Sequence, residues 1–439
     1  MRTPPGRTVF WVGCYLVLAL GPLGVLFIGE LPPSRGFWIE FSVALGFIAL
    51  AMLALQFVLT ARFRNIAAPF GLDTIIQFHR EAGLVAAGFV LLHPVIIIVS
   101  APAYLEYIDP RVTGMRAILL IAAVLAMGLI VFLTLRRQPL GVSYEWWRLS
   151  HGFLGVFVVV VALAHVFQIA WYVSAPWQRA LWIGLTGGAL LLLGHVRIGK
   201  PLQMRRRPYR VLDVRAEGGR TWTLALAPVG HAGMTFQPGQ FGWLTLGPSP
   251  FSMQQHPFSF SSSAAASDRI EFTIRELGDF SSTIREVKKG TPAFVEGPYG
   301  ALVPDFTSPA GLVLVAGGVG IAPMMSMLRT LHDRADRRPV LLIYGSRNWE
   351  EAIFREELQL LTEKLALSLV FVLANPEPGR HDEHGFIREE ILEKHFPADR
   401  TAYQYFVCGP VTMMDMVERY LDRRGIPPAQ IHSERFDIA

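Results

Sequence analysis

The stretch DTIIQFHREAGLVAAGFVLLHPVIIIVS, from Asp73 to Ser100, decides the fold. It is almost wholly apolar and long enough to cross a bilayer as a helix. Yet it carries two histidines, His79 and His93, fourteen residues apart. At 3.6 residues per turn this spacing is about 3.9 turns, so both imidazoles leave the helix on nearly the same face, separated by ~21 Å along its axis. A second apolar stretch, RLSHGFLGVFVVVVALAHVFQIAWY from Arg148 to Tyr172, repeats the arrangement with His151 and His165. Two such helices lying side by side set His79 opposite His151 and His93 opposite His165. Each pair can then hold one haem iron from both sides, since neutral imidazole is an axial haem ligand.

An ionisable residue at membrane depth is costly, and a single one is often no more than a hydrogen-bonding contact between helices. Four histidines in two depth-matched pairs follow the pattern of bundle cofactor sites, which are built from facing side chains. Gly83, Ala86, Ala87 and Gly88 on the first stretch, with Gly152 and Gly155 on the second, leave room for a flat macrocycle, or serve ordinary helix packing.

The chain of 439 residues divides into unlike halves: its hydrophobic residues, 52% of the total, concentrate before residue 200, and charged residues become common after it. Two cysteines exclude a disulfide framework and fit a reducing compartment for the second half. The net charge of +5 says nothing of nucleic acid, because the basic residues cluster at the ends of apolar runs, and no nucleic-acid-binding motif occurs. Six spans are expected, at roughly 8–29, 37–61, 74–100, 115–135, 149–173 and 177–197. The first is too long for a cleavable signal peptide. Arg2 and Arg7, Arg62 and Arg64, Arg136 and Arg137, and the group from Arg197 to Arg207 flank alternate ends, which places both termini in the cytoplasm. His79 and His151 then form an inner pair, and His93 and His165 an outer one. Arg80 and Arg148 either meet haem propionates or reach the lipid headgroups. His195 has no partner at matched depth and is read as structural or propionate-facing.

From Tyr209 the pattern becomes short alternating strands broken by Gly and Pro turns, as in an antiparallel β-barrel. QPGQF (Gln237–Phe241), QHPFSFSS (Gln255–Ser262), IRELGDFSS (Ile274–Ser282) and VEGPYG (Val295–Gly300) follow in order. GLVLVAGGVGIAPMMSMLRTL (Gly311–Leu331) then reads as a strand, a glycine-rich turn and a helix whose N-terminus can hold a pyrophosphate. The strands RPVLLIYGSR, SLVFVLA and QYFVCGP alternate with helical stretches and imply a parallel α/β sheet. The expected architecture is a transmembrane di-haem bundle at 1–203, an antiparallel β-barrel at 204–305, which the resemblance below makes FAD-binding, and an α/β nucleotide-binding domain at 306–439, which it makes NAD(P)-binding.

HPFSFSS, LGDFSS, EGPYG, AGGVGIAP, YGSR, CGP and the near-terminal ERF resemble the ferredoxin–NADP reductase superfamily. Joined to six spans with two fourteen-spaced histidine pairs, they resemble the ferric reductase superfamily, and within it the prokaryotic NADPH oxidase-like proteins. This resemblance implies an integral protein of the bacterial inner membrane carrying FAD and two b-type haems. By resemblance, His256 approaches the FAD pyrophosphate, Phe258 lies against the isoalloxazine, Ser259 bonds flavin N5, Ser262 belongs to the same motif, and Gln240 and Pro257 are further cofactor-binding residues. Gly278, Asp279, Phe280 and Ser281 match the loop over the pyrophosphate. Gly317, Gly318, Gly320 and Pro323 match the nucleotide turn, and Cys408, Gly409 and Pro410 the segment beside the nicotinamide. Phe436 matches the aromatic that covers the flavin, though three residues follow it here. After the strand VLLIYG come Ser346 and Arg347. An Arg there accommodates the 2′-phosphate of NADPH, with NADH also possible.

The function expected is electron transfer from cytosolic NAD(P)H through FAD, the inner haem and the outer haem to an acceptor on the far side. The loops expected over the outer pair are short and hold no cluster of Cys, Met or His, which favours oxygen, reduced to superoxide at the haem edge. A ferric or other metal-chelate reductase, or an electron donor to a periplasmic partner, is the alternative. A non-enzymatic sensor fits the motif set poorly, and no obligatory protein partner is expected.

Overall fold

The computed structural model describes residues 5–28, 31–62, 71–266, 268–308, 310–377, 379 and 382–435. They fall into two compact units, one mainly Gly6–Arg62 with Thr74–Arg197, the other mainly from Ile198 onwards.

The first unit is helical: α1 (Pro5–Val25), α2 (Phe37–Leu59), α3 (Leu72–Ser100), α4 (Met115–Arg136), α5 (Tyr144–Ile169) and α6 (Pro176–Gly194). Among the described residues five helices are long and apolar enough to cross a membrane, namely α2 to α5 and the run Pro176–Arg205 that begins with α6. The expected span at 8–29 is represented by α1, whose apolar part, Val9–Val25, is shorter and contains Pro22; residues 29–30 lie outside the described residues. Outward-pointing Leu125, Phe153 and Leu191 are what helices in lipid present, since a helix satisfies its own backbone and needs no polar surface there. The most enclosed helix is α2: 56% of its apolar window is buried, against 17% in each of the others. Its Phe47, Leu50 and Ala51 pack with Val159 and Trp182, and its Met52 and Leu55 with Ala82 and Ala86. Ala82 and Ala86, the α3 residues buried in this cluster, are small, with Phe78 and Phe89 packed beside them. α5 starts five residues before the expected 149 because Ser143 caps it, its Oγ accepting from Trp146 N at 3.4 Å. It ends at Ile169, where Ala170 turns left-handed (φ 53).

The second unit begins with α7 (Lys200–Arg205). Lys200 Nζ donates to Glu296 Oε1 at 2.8 Å and to the Tyr299 hydroxyl at 3.1 Å, tying α7 to the sheet that follows. That sheet is antiparallel, of order β4-β3-β6-β1-β2-β5, from β1 (Tyr209–Gly218), β2 (Thr221–Pro228), β3 (Phe241–Leu246), β4 (His256–Ser259), β5 (Ile270–Arg275) and β6 (Pro292–Tyr299). Just beyond β4, Phe260 bridges Phe272 of β5, so the two edges of the sheet meet. Phe260 and Phe272 are fully buried there with Leu224, Leu226 and Ile270. The short helix α8 (Asp279–Thr283) lies between β5 and β6 in sequence.

A parallel sheet completes the unit, of order β10-β9-β8-β7-β11-β12. Its strands are β7 (Gly311–Gly317), β8 (Val340–Ser346), β9 (Leu367–Leu373), β10 (Glu383–His384), β11 (Tyr403–Cys408) and β12 (Ile431–Ser433). Helices α9 (Ile321–Asp333) and α10 (Arg355–Lys364) share a core with one face; α11 (Glu389–His395) and α12 (Val411–Arg423) share one with the other. Buried on both faces, β7 reads as the uninterrupted apolar run LVLVA rather than an alternation. β8 and β11 lie on opposite sides of β7, so the strand order reverses between β7 and β11, and ligands bind at such a switch point in open α/β sheets.

The two sheets are joined by Arg329 of α9. Its Nη1 donates to Glu271 Oε2 at 3.0 Å and to the carbonyl of Ser261 at 2.7 Å. Its Nε and Nη2 hold Glu357 at 2.7 and 2.6 Å. Glu271 is 1% exposed, and Arg215 and Arg269 also reach it, at 3.0 and 3.3 Å. Breaking a buried ion pair typically costs ~3–5 kcal/mol. The two remaining partners of Glu271 put Arg329→Ala at the lower end, about 3 kcal/mol, readable as a lowered thermal midpoint of the intact protein. An unchanged midpoint would mean that this network does not hold the sheets together.

Candidate cofactor sites

In the helical unit the imidazoles of His79 (α3) and His151 (α5) face each other with ring centres 6.1 Å apart and planes at 58°. Two metal–nitrogen bonds of about 2.0 Å, with the distance from nitrogen to ring centre added, put trans imidazoles on one metal roughly 6 Å apart. The described separation therefore fits a single iron between the two rings. Nδ1 of both histidines is buried without a hydrogen bond, as is Nδ1 of His165. His165 is near enough to His93 and Arg116 for their charges to act on it. The His93 ring is held differently: its Nδ1 is 2.8 Å from the carbonyl of Ser42, and Ser42 Oγ donates to the His93 carbonyl at 2.6 Å. Among the described residues no cluster of three or more His, Cys, Asp or Glu forms a conventional metal site. Paired imidazoles, supplying two ligands per iron, suit a macrocycle that fills the other positions. Arg148 stacks over Tyr144 at 5.7 Å, one turn before His151.

In the second unit β4 pairs with β3, setting Ser259 opposite Phe241, Phe258 opposite Gly242, Pro257 opposite Trp243 and His256 opposite Leu244. A Cβ on Gly242 would lie 2.9 Å from Val295 and 3.0 Å from Phe260, so this position has no room for a side chain. Phe280 of α8 stacks on His256 with centres 4.1 Å apart, and Phe258 lies 6.1 Å from Phe280, nearly parallel to it. With His256 and Phe258 6.5 Å apart, the two motifs come together as a triangular cluster of three rings. Ser281 Oγ accepts from the amides of Leu277 and Gly278 at 2.8 and 2.9 Å, which fixes the loop before α8 and the position of Asp279 at its start. Gln240 reaches the carbonyl of Gly300 at 3.4 Å. Ser262 Oγ accepts from Glu271 N at 3.1 Å, and its carbonyl accepts from Ser326 Oγ at 2.7 Å.

The glycine turn sits at the switch point. Gly317 ends β7, Gly318 is left-handed (φ 55), and α9 starts immediately after Gly320, with Pro323 in its first turn. A Cβ on Gly320 would meet the Cys408 carbonyl at 2.2 Å, and one on Gly317 would meet Pro410 at 2.7 Å. The turns after β7 and β11 therefore touch backbone to backbone, a contact that only glycine permits. Burial, with the nearby carboxylate of Glu434, pushes the Cys408 thiol well above its usual range, so it is a neutral, packed group. Ser346 and Arg347 follow the same sheet edge, and Arg347 is exposed with Glu351 at 3.7 Å. Phe436 lies outside the described residues.

Two residues escaped the sequence reading. Glu434 is buried, and a Cβ on Gly300 would come within 3.0 Å of its Oε2; only its place in the ERF triplet marked it. Arg275 of β5 pairs with Glu351 at 3.2 Å, and a Cβ on Gly318 would lie 3.5 Å from its Nη1. It stands beside the glycine turn; IRELGDFSS contains it, but nothing in that stretch signalled the contact, because the approach comes from the other sheet.

Comparison with known proteins gives three matches along the chain: the ferric reductase like transmembrane component over residues 45–199, an FAD-binding domain over 229–303 and an oxidoreductase NAD-binding domain over 314–419. The propane 2-monooxygenase reductase component of Mycolicibacterium goodii is 26% identical over 247 residues, 54% of this chain and 69% of that protein. The flavohemoprotein of Bacillus subtilis is 28% identical over 208 residues, 46% of this chain and 51% of that protein. The chain thus spans half to two-thirds of these curated relatives. A solved ferredoxin reductase in carbazole 1,9a-dioxygenase aligns with TM-score 0.47 and 24% identity over 52% of this chain and 69% of that one. The chain is an integral membrane oxidoreductase of the ferric reductase and NADPH oxidase-like architecture, with a ferric reductase like transmembrane component followed by FAD- and NAD-binding domains.

Proposed function

We propose that this protein moves electrons from cytosolic NAD(P)H, through FAD and two b-type haems, to an acceptor on the outer face of the bacterial inner membrane, with oxygen as acceptor and superoxide as product. The observation that carries the reading is the 6.1 Å separation of the His79 and His151 rings inside an apolar bundle. His79 and His151 hold the inner haem, His93 and His165 the outer one, and both termini are cytoplasmic. The domains divide at 203 and 305. Nicotinamide delivers two electrons together as hydride, and flavin with haem, when bound, supplies the conversion to single-electron transfer.

The chain's own residues bind and orient. Phe258 lies against the flavin ring, with Ser259 directed at N5, His256 approaching the pyrophosphate, and Gly278, Asp279, Phe280 and Ser281 in the loop over it. Gly317, Gly318 and Gly320 bring backbone amides and the α9 N-terminus to the nucleotide pyrophosphate. Cys408, uncharged, packs beside the nicotinamide with Gly409 and Pro410. Arg347 meets the 2′-phosphate of NADPH. The connection over the outer pair, Pro102–Ile108 followed by Pro110–Thr113, is short and helical, which leaves space for a small acceptor.

The first test is a spectrum of the purified protein with FAD: two b-type haems per chain are expected. His93→Leu or His165→Leu should each remove one haem and leave flavin reduction by NAD(P)H intact. Either variant retaining both haems would refute the ligand assignment. The acceptor is read by superoxide-dismutase-sensitive cytochrome c reduction with NADPH. Ready anaerobic reduction of ferric chelates with no aerobic superoxide would turn the reading to a metalloreductase. A charge-assisted hydrogen bond contributes roughly 1.5–3 kcal/mol, and the exposure of Arg347 places it at the lower end. Arg347→Ala should therefore raise KM for NADPH about tenfold and leave NADH unaffected; an unchanged preference in steady-state kinetics would remove Arg347 from the site.

A further inference from the structure

Ser42 and Gln56 lie on α2 fourteen residues apart, the same interval that separates His79 and His93 on α3. Fourteen residues bring a helix back to nearly the same face about 21 Å further on. If two helices run antiparallel, residues meet where their numbers have a constant sum; Ser42 with His93 and Gln56 with His79 both give 135. The contacts follow this register. The carbonyl of Ser42 lies 2.8 Å from His93 Nδ1. The carbonyl of Gln56 faces the His79 imidazole, though His79 Nδ1 closes no hydrogen bond. Gly46, one turn after Ser42, makes the outer contact possible: a Cβ there would sit 3.2 Å from His93 Nδ1 and 3.3 Å from Cε1. The hydroxyl of Ser42, itself fully buried, closes the arrangement by donating to the His93 carbonyl at 2.6 Å.

Gln56 adds a second feature. It is 92% buried in the apolar bundle, and neither its Oε1 nor its Nε2 has a hydrogen-bond partner. Leaving an amide unsatisfied in such surroundings is costly. The amide points at α3: Oε1 would lie 3.8 Å from a Cβ on Gly83, which is one turn beyond His79 on the same face. A polar group so placed has a partner when the space between the facing histidine rings is filled.

We infer that α2 is the orienting helix for both irons: Ser42 and Gly46 fix the ring of His93 at the outer haem, and Gln56 directs its amide at the inner one. This rests on the two-haem reading above. Nδ1–H donated to the Ser42 carbonyl leaves Nε2 as the lone-pair donor and makes the ligand more basic. A more basic axial ligand favours ferric iron and lowers that haem's potential. The two contacts are unequal, so α2 acts on the two irons separately.

The test is a spectroelectrochemical titration of the full-length protein in detergent, following the two haem waves without turnover. Gly46→Ala, which pushes the His93 ring off the Ser42 carbonyl, should raise the midpoint of the outer haem and leave the inner in place. Ser42→Ala, which keeps the backbone acceptor but loses the hydroxyl, should shift the same wave in the same direction by less, and serves if Gly46→Ala fails to fold. Gln56→Leu should move only the inner wave. His93→Leu, which deletes the outer haem, identifies which wave is which. If the wild type shows two bis-histidine haems and these substitutions leave both waves unmoved, or move the wrong one, the role of α2 is overturned while the two-haem reading stands. A wild-type protein without two haems overturns both.

Discussion

An imidazole inside an apolar helix bundle has few ways to be satisfied. The bundle interior is mainly apolar, and an unpaired polar group in it is expensive. The helical unit is arranged around this constraint. His79 and His151 come together with ring centres 6.1 Å apart and Nδ1 of each buried without a hydrogen bond. His93 is tied through Nδ1 to the backbone of α2. The helix that supplies this tie is the most enclosed of the bundle. The small residues facing it on α3, Ala82 and Ala86, are where the close approach requires them.

The reductase unit solves a different problem by similar means. Its switch point brings two turns, Gly317–Gly320 and Cys408–Pro410, into contact through backbone alone. The charged network of Arg329 and Glu271 then spans the two sheets and keeps the rings of β4 and the glycine turn within one compact unit.

Much of this was legible in the sequence because each signal was local and periodic. Fourteen-residue spacing fixes a helix face whatever the neighbours do, and the uninterrupted apolar run of β7 before a glycine turn fixes a buried parallel strand. The parts that escaped depend on the meeting of distant segments. Ser42 is an ordinary serine in an apolar run until α2 packs on α3. Arg275 is one more charged strand residue until the antiparallel sheet brings it beside Gly318. The hydrogen bond from the backbone of Glu271 to the Ser262 hydroxyl likewise exists only once the two edges of the sheet meet. Helix ends moved by a few residues for a similar reason: Ser143 caps α5, and a cap is a weaker signal in sequence than hydropathy.

Cys408 carries a consequence of its own. A thiol reacts with peroxides and alkylating agents as the thiolate, and both burial and the neighbouring carboxylate of Glu434 oppose that form here. Its sulfur is enclosed at the end of β11, behind the two glycine turns, where an oxidant would have to open the switch point to reach it. The reductase unit thus carries, at the contact of its two glycine turns, a cysteine chemically shielded from oxidants that reach its surface.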